Sequence, residues 1–161
     1  MKVLVDTSIW SLALRRSGAT SKEDQSLVYE LNELISEVRV ALIGPIRQEL
    51  LSRISSQAQF ETLKEKLQAF EDLPLKQQDY EHAAEFYNTC RKKGIQGSQI
   101  DFLICAVAAG RAMPIFTSDK DFFLYEKHLN ITLYDVRKCH LEEQCDEIYP
   151  SDRIEFSPRS K

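Results

Sequence analysis

Five acidic residues of this sequence lie where a folded chain could bring their carboxylates together: Asp6, Glu49, Asp101, Asp119 and Asp121. Carboxylates that share a site repel one another. Two unit charges ~4 Å apart cost about 4 kcal/mol at an effective dielectric of ~20, so such a cluster recruits a proton or a cation. Oxygen ligands without a converging His or Cys favour Mg²⁺ or Mn²⁺ over zinc. A divalent ion held in this way suits phosphate chemistry, because it polarises a phosphoryl oxygen and lowers the pKa of bound water.

The elements that would position these acids alternate between strands and helices. Short apolar runs predict four strands, over residues 2–5, 38–43, 114–117 and 131–134. Three- and four-residue apolar spacing predicts helices after Asp6, from Pro45, and over residues 21–38, 57–70, 77–93 and 98–110. Strands separated by helices imply a parallel sheet covered on both faces. We therefore expect an α/β fold of three layers (α/β/α), with four to five short parallel strands.

In such a sheet, the carboxyl ends of the strands and the first turns of the helices meet at one edge, where ligands usually bind. Asp6 comes directly after the first strand, and Glu49 lies in the first turns of the helix after the second. Asp101 lies in the first turn of the helix before the third strand, and Asp119 and Asp121 come after that strand. All five acids are therefore predicted to share this edge.

Each acid taken alone also has a structural explanation. Asp6 is a good helix N-cap, and Asp101 completes an S-x-x-D capping box with Ser98. Glu49 could be a solvent-facing helix carboxylate, and the two later aspartates could be ordinary turn residues. The functional hypothesis therefore depends on the joint placement of the acids.

Length and composition limit the class of protein. The chain has 161 residues, 43% of them hydrophobic, four cysteines and a net charge of −4, as expected for one compact domain with reduced thiols in the cytoplasm. No apolar run approaches the ~18–20 residues of a membrane span, and the N-terminus lacks the layout of a signal peptide. Apolar periodicity is lost after about Val136. We predict a domain over residues 1–138 and a polar extension over residues 139–161.

Four segments taken together resemble a known family. DTSIW at residues 6–10, PIRQELL at 45–51, DFLICAVAAG at 101–110 and FTSDKDF at 116–122 are similar to the motifs of PIN-domain nucleases. Among these, the chain looks most like the VapC-type ribonuclease toxins of prokaryotic toxin–antitoxin pairs. The resemblance extends over about residues 1–136 in matching order, and it is the ordered set that is specific.

The resemblance implies a Mg²⁺- or Mn²⁺-dependent endoribonuclease. Asp6 and Asp101 would be the principal metal ligands, and Asp119 would hold the metal or its water. Glu49 would orient a metal-bound water or complete a second site, and Asp121 matches an additional acid of many members. The implied partners are a structured RNA such as a tRNA or rRNA loop, a small antitoxin, and a second copy of the chain. Exposed apolar positions such as Leu12 and Leu14 are candidates for contacts in that homodimer.

Two other classes of function compete with this one. A PIN-like module that has lost catalysis would bind RNA or protein; the presence of all four matching acids argues against it. A phosphoaspartyl enzyme would need a second acid just after Asp6, where this chain has Thr7 and Ser8. Basic residues near the expected groove could contact RNA phosphates: Arg15, Arg16, Arg47, Arg53 and Lys120.

Overall fold

A computed structural model describes residues 1–14 and 21–137 of the chain. Its sheet contains three short parallel strands among these residues: β1 (Val3–Val5), β2 (Val40–Ala41) and β3 (Ile115–Phe116). The strand order is β2-β1-β3, so the buried first strand lies in the middle. Leu4 is paired with Ala41 on one side and with Ile115 on the other.

Seven helices of the described residues flank this sheet: α1 (Thr7–Ala13), α2 (Lys22–Ser36), α3 (Gly44–Ser52), α4 (Gln57–Leu67), α5 (Gln77–Lys92), α6 (Gln99–Gly110) and α7 (Asp121–Glu126). The parallel α/β fold with helices around the sheet is the predicted one. None of these helices is long and apolar enough to cross a membrane. The predicted extension over residues 139–161, with Arg15 and Arg16, lies outside the described residues.

Local sequence signals explain where several helices begin. Asp6 caps α1, Ser21 caps α2, and Pro45 lies in the first turn of α3, where its missing N–H is harmless. The predicted capping box of α6 is formed in both directions: Ser98 N donates to Asp101 Oδ2 at 2.8 Å, and Asp101 N donates to Ser98 Oγ at 3.0 Å. These caps fix the ends of the helices that carry the candidate acids.

The strand count and some boundaries differ from the sequence prediction. The expected fourth strand over residues 131–134 is reduced to one bridge between Leu133 and Ile115, because β3 offers only two residues for pairing. A similar single bridge joins Leu42 to Asp72 beyond β2. The second strand begins later than predicted because Val38 has a positive φ of 56° and turns the chain after α2. Helix α7 begins at Asp121, the last residue of a predicted turn, and covers residues for which no element is predicted.

The core is built around large side chains without solvent exposure. Trp10, Phe116, Phe122 and Tyr125 are all buried, and apolar residues of all three strands pack with them. Leu12 belongs to this interior, with an exposed fraction of 6%. The expectation that Leu12 is exposed for a homodimer contact is therefore wrong, because α1 packs against α2 and α3. Leu14 is half-buried and also packs on the core.

Candidate active site

Four of the five predicted acids line one cavity of about 340 Å³: Asp6, Glu49, Asp101 and Asp119. The cavity lies at the edge of the sheet where β1 and β3 end, which is the predicted position. Its other lining residues among those described are Thr7, Ser8, Ser11, Leu12, Asp24, Arg53 and Ser118. The topology thus brings together acids that are 113 residues apart in the sequence.

Asp6 is the most deeply placed acid, with an exposed fraction of 5%. Its Oδ2 accepts hydrogen bonds from Ser8 Oγ at 2.7 Å, Thr117 Oγ1 at 2.9 Å and Ser8 N at 3.3 Å. All three donors meet the same oxygen, so Oδ1 lies outside this set of bonds. Burial raises the pKa of Asp6, although the hydrogen bonds from Ser8 and Thr117 oppose the shift. A carboxylate in this setting is stabilised by a nearby cation.

Asp101 serves the capping box and the cavity with the same side chain. Its Oδ2 accepts the Ser98 N–H, while the residue lines the cavity beside the other acids. Burial is the main cause that raises the pKa of Asp101, and the negative charges of Asp6 and Asp119 raise it further. The structural and functional explanations of Asp101 are therefore compatible. Burial is thus the main cause of the raised pKa of both Asp6 and Asp101, and only for Asp101 do the neighbouring acids add to it.

The two later aspartates have different positions. Asp119 lines the cavity, and its backbone N–H donates to Thr117 Oγ1 at 3.0 Å. Asp121 is exposed at the first position of α7 and is not among the cavity-lining residues. Its backbone N–H donates to Asp119 Oδ1 at 3.0 Å. In this structure Asp121 therefore orients Asp119 through its backbone, and its role as a metal ligand stays a prediction.

Glu49 enters the cavity from α3 and is held on both carboxylate oxygens. Thr7 Oγ1 donates to Glu49 Oε2 at 2.8 Å, and Arg53 Nη2 donates to Glu49 Oε1 one turn further along the helix. Two backbone N–H groups are linked to Asp6 through the hydroxyl groups that bond it. Ser118 N donates to Ser8 Oγ at 3.1 Å, and Asp119 N donates to Thr117 Oγ1. Hydroxyl groups thus hold the carboxylates in place around the cavity.

The donor set fits a hard divalent cation. The cavity presents carboxylate and hydroxyl oxygens, without His or Cys among its lining residues. Within residues 1–14 and 21–137, no three His, Cys, Asp or Glu side chains form a group that could hold a metal ion as they stand. The acids line a shared space without converging on one point. A metal ion would have to draw the carboxylates closer together.

The structure separates the basic residues that were expected near the groove. Arg53 lines the cavity, whereas Lys120 is exposed outside its lining. Arg47 is engaged elsewhere: it donates to both oxygens of Asp72 and to the carbonyl oxygens of Leu67 and Phe70. Arg47, named only as one residue that could contact a phosphate, does not face the cavity, and those bonds occupy its guanidinium group.

Two polar lining residues, Ser11 and Asp24, have no role in the predicted site, yet both line the cavity. Their positions depend on how α1 and α2 pack against each other, which the local sequence does not specify. The spacing of Ser11 to Thr7 and Ser8, one helical turn, was the available signal.

Cys105 lies on α6, one turn beyond Asp101, and is fully buried. Burial raises the pKa of its thiol, and the charge of Asp101 adds to the shift. A thiolate is therefore disfavoured, which argues against nucleophilic cysteine chemistry at this site.

Comparison with known proteins identifies the family. The PIN domain family model matches residues 3–127, so this chain belongs to the PIN domain family. The matched segment contains all five acidic residues that line the cavity. The comparison with curated protein sequences gave no match.

Several solved structures share the fold. FitAcB from Neisseria gonorrhoeae aligns with a TM-score of 0.66 at 21% identity, over 85% of this chain and 99% of the other. VapBC2 from Rickettsia felis, bound to a DNA fragment from its promoter, gives 0.65 at 19% identity, over 83% and 98%. VapBC-5 from Mycobacterium tuberculosis, a member of a family of toxin–antitoxin systems, gives 0.60 at 24% identity, over 84% and 98%. At these identities the likeness shows a common fold.

Proposed function

We propose that this chain is a Mg²⁺- or Mn²⁺-dependent endoribonuclease and the toxin of a type II toxin–antitoxin pair. The observation that carries the proposal is the convergence of Asp6, Glu49, Asp101 and Asp119 on one cavity at the carboxyl edge of the sheet. Membership of the PIN domain family supports nuclease chemistry at that place.

Asp6, Asp101 and Asp119 are the proposed metal ligands, with Glu49 close by and Asp121 as an additional candidate. When bound, the metal ion would polarise a phosphoryl oxygen and lower the pKa of its water. Ser8 and Thr117 keep Asp6 oriented by bonding one of its oxygens, and Thr7 does the same for Glu49. Burial destabilises the charged forms of Asp6 and Asp101, as their raised pKa values indicate, and a bound cation would offset that cost.

The structural neighbours support the proposed partners. The solved structures of similar fold include VapBC and FitAcB proteins, which supports an antitoxin as a partner of this chain. A structured RNA such as a tRNA or rRNA loop is the proposed substrate, and a homodimer and a cytoplasmic location are proposed with it. A catalytically inactive PIN-like module that binds RNA or protein is the competing function.

The test is cleavage of total RNA by the purified chain and by its Asp101→Asn variant, with Mg²⁺ or Mn²⁺ and with EDTA. We expect discrete products from the wild type that require the metal, and none from the variant. Asparagine retains a side-chain oxygen for the capping box, so the start of α6 is preserved. Asp135→Asn is the matched control, because Asp135 is exposed and does not line the cavity.

Calorimetry with Mn²⁺ separates the two functions. If the wild type binds Mn²⁺ and cleaves RNA, and Asp101→Asn does neither, the nuclease function is supported. Absence of both cleavage and divalent-ion binding would overturn the metal site and favour the inactive binding module.

A further inference from the structure

We propose that Arg53 is a phosphate-binding residue, which leaves Glu49 and contacts the RNA backbone when substrate enters the acidic cavity. The inference rests on the proposed ribonuclease function and adds to it a named contact that attracts the substrate. It also links the arrival of RNA to the release of one oxygen of Glu49.

The first argument is the charge of the cavity. Five of its lining residues are acidic: Asp6, Asp24, Glu49, Asp101 and Asp119. Of the lining side chains that the structure describes, Arg53 alone is basic. A phosphodiester that approaches these carboxylates is repelled unless positive charge is present. A bound metal ion would supply some of that charge, and Arg53 supplies a further positive charge that belongs to the protein.

The second argument is that Arg53 is available. Its side chain is 59% exposed, and its ion pair with Glu49 spans one helical turn. Exposed pairs at this spacing contribute little to stability, so the contact can exchange for another. Only Nη2 of the five-donor guanidinium is used in that pair, whereas Arg47 bonds Asp72 and two carbonyl oxygens through Nε, Nη1 and Nη2. Arg47 is fixed in the scaffold, and Arg53 is free to reorient.

The third argument is that different residues bond the two carboxylate oxygens of Glu49. Thr7 bonds Oε2 and Arg53 bonds Oε1, so the two contacts are independent. When Arg53 turns to a phosphate, Thr7 keeps the carboxylate in position while Oε1 is released. The planar guanidinium matches two phosphate oxygens at once, which a lysine cannot do. The released Oε1 is then available for the role proposed for Glu49 at the metal-bound water.

The experiment measures binding of a fluorescein-labelled, single-stranded oligoribonucleotide of mixed sequence by anisotropy, in EDTA, over a series of salt concentrations. We expect Arg53→Gln to weaken binding about tenfold and to reduce the salt slope by about 1, because one phosphate contact is lost. Glu49→Gln should tighten binding, since it removes a negative charge and leaves Arg53 unpaired. Arg53→Lys should keep the salt slope with intermediate affinity. Arg39→Gln is the matched control, because Arg39 precedes β2 at the opposite edge of the sheet, and it should bind as the wild type does.

The outcomes distinguish this inference from the function on which it rests. If the wild type cleaves RNA with metal but Arg53→Gln binds and cleaves unchanged, the inference is wrong and the nuclease stands. If Arg53→Gln and Glu49→Gln changed the RNA affinity in the same direction, the inference would also be wrong, since the ion pair would then have only a structural role. If the wild type neither binds nor cleaves RNA, both fail together. Circular dichroism verifies that each variant is folded. If Arg53→Gln does not fold, Arg53→Lys provides the test in its place.

Discussion

Two groups of carboxylates in this molecule are stabilised in opposite ways. The acids of the cavity, such as Asp6 and Asp101, are bonded mainly by hydroxyls and backbone N–H groups. The acids of the scaffold, such as Asp79 and Asp72, are bonded by arginines. The two groups therefore differ in their bonding partners, and Asp6 is also more deeply buried than Asp79 or Asp72.

The pKa values show the consequence. Hydrogen bonds from Arg111 lower the pKa of Asp79, whereas burial raises the pKa of Asp6 and of Asp101. The charged form of Asp79 thus contributes to the stability of the folded chain, whereas the charged forms of Asp6 and Asp101 reduce it. Uncompensated buried charge is typical of a site that awaits a ligand, because its cost is recovered only on binding.

The largest effect that tests this comparison comes from Asp6→Asn. We expect RNA cleavage to fall by on the order of 10³-fold, because a proposed principal metal ligand is lost. We also expect the free energy of unfolding in EDTA to rise by about 1 kcal/mol, because the buried charge is removed while an oxygen remains for Ser8 and Thr117. Cleavage assays and urea denaturation measure the two quantities.

The control for this variant is the same substitution in the scaffold. Asp72→Asn removes a charge that Arg47 neutralises, so stability should fall while cleavage is retained. A loss of stability in both variants would mean that Asp6 is a structural residue like Asp72, and the contrast between the two groups would fail.

The sequence predicted the cavity better than it predicted the scaffold. Asp6, Glu49, Asp101 and Asp119 could be placed together because β1, α3, α6 and β3 are recognisable from local patterns, and a parallel sheet then orders their ends. Asp24 could not be placed, since its position depends on the packing of α2 against α1. The structural role of Arg47 could not be predicted, because its partner, Asp72, is 25 residues away in the sequence and lies in a loop without periodicity.

The strand count shows the same limit. The pattern of residues 131–134 is that of a strand, but pairing requires a partner, and β3 supplies two residues before Thr117 bonds Asp6. A local pattern predicts the tendency to form an element, and the neighbouring elements decide its length. This is why the fold class was confirmed although the boundaries shifted.

The second effect concerns the scaffold. Arg47→Met should reduce the free energy of unfolding by about 2–3 kcal/mol, because Asp72 and the carbonyl oxygens of Leu67 and Phe70 lose their donor. Lys64→Met is the control: its pair with Glu61 is half exposed, and the change should stay within about 1 kcal/mol. Urea denaturation measures both changes. If the free energy of unfolding fell equally in Arg47→Met and Lys64→Met, the distinction between the partly buried and the exposed ion pair would be wrong.

The third effect lies where scaffold and cavity meet. A Cβ at Gly97 would lie 2.3 Å from Tyr125 Oη and 2.9 Å from Phe102 Cε2, and both rings are buried. Gly97→Ala should therefore cost about 2 kcal/mol of stability and lower cleavage, because the displaced segment leads into the cap that orients Asp101. Thermal denaturation and RNA cleavage measure both effects. Adding Tyr125→Phe removes the closest atom and should restore part of each loss; no restoration would show that the clash is not the cause.

The smallest effect is the pH dependence of the Asp79–Arg111 pair. The pKa of Asp79 is lowered from its ordinary value of 3.8, so the unfolded chain binds the proton more readily than the folded one. The stability that the pair contributes is therefore present above about pH 4, and it is lost as the pH falls through the lowered pKa. Asp79→Asn should be about 1 kcal/mol less stable than the wild type near pH 7, and the difference should shrink towards about pH 2. The raised pKa of Asp6 has the opposite effect, because the folded chain binds this proton more readily than the unfolded chain and the wild type gains stability as the pH falls. The stability advantage of Asp6→Asn over the wild type in EDTA should therefore also shrink on acidification. Urea denaturation of the wild type, Asp79→Asn and Asp6→Asn across this pH range measures both differences. If both variants were less stable than the wild type, or both more stable, the comparison would be contradicted.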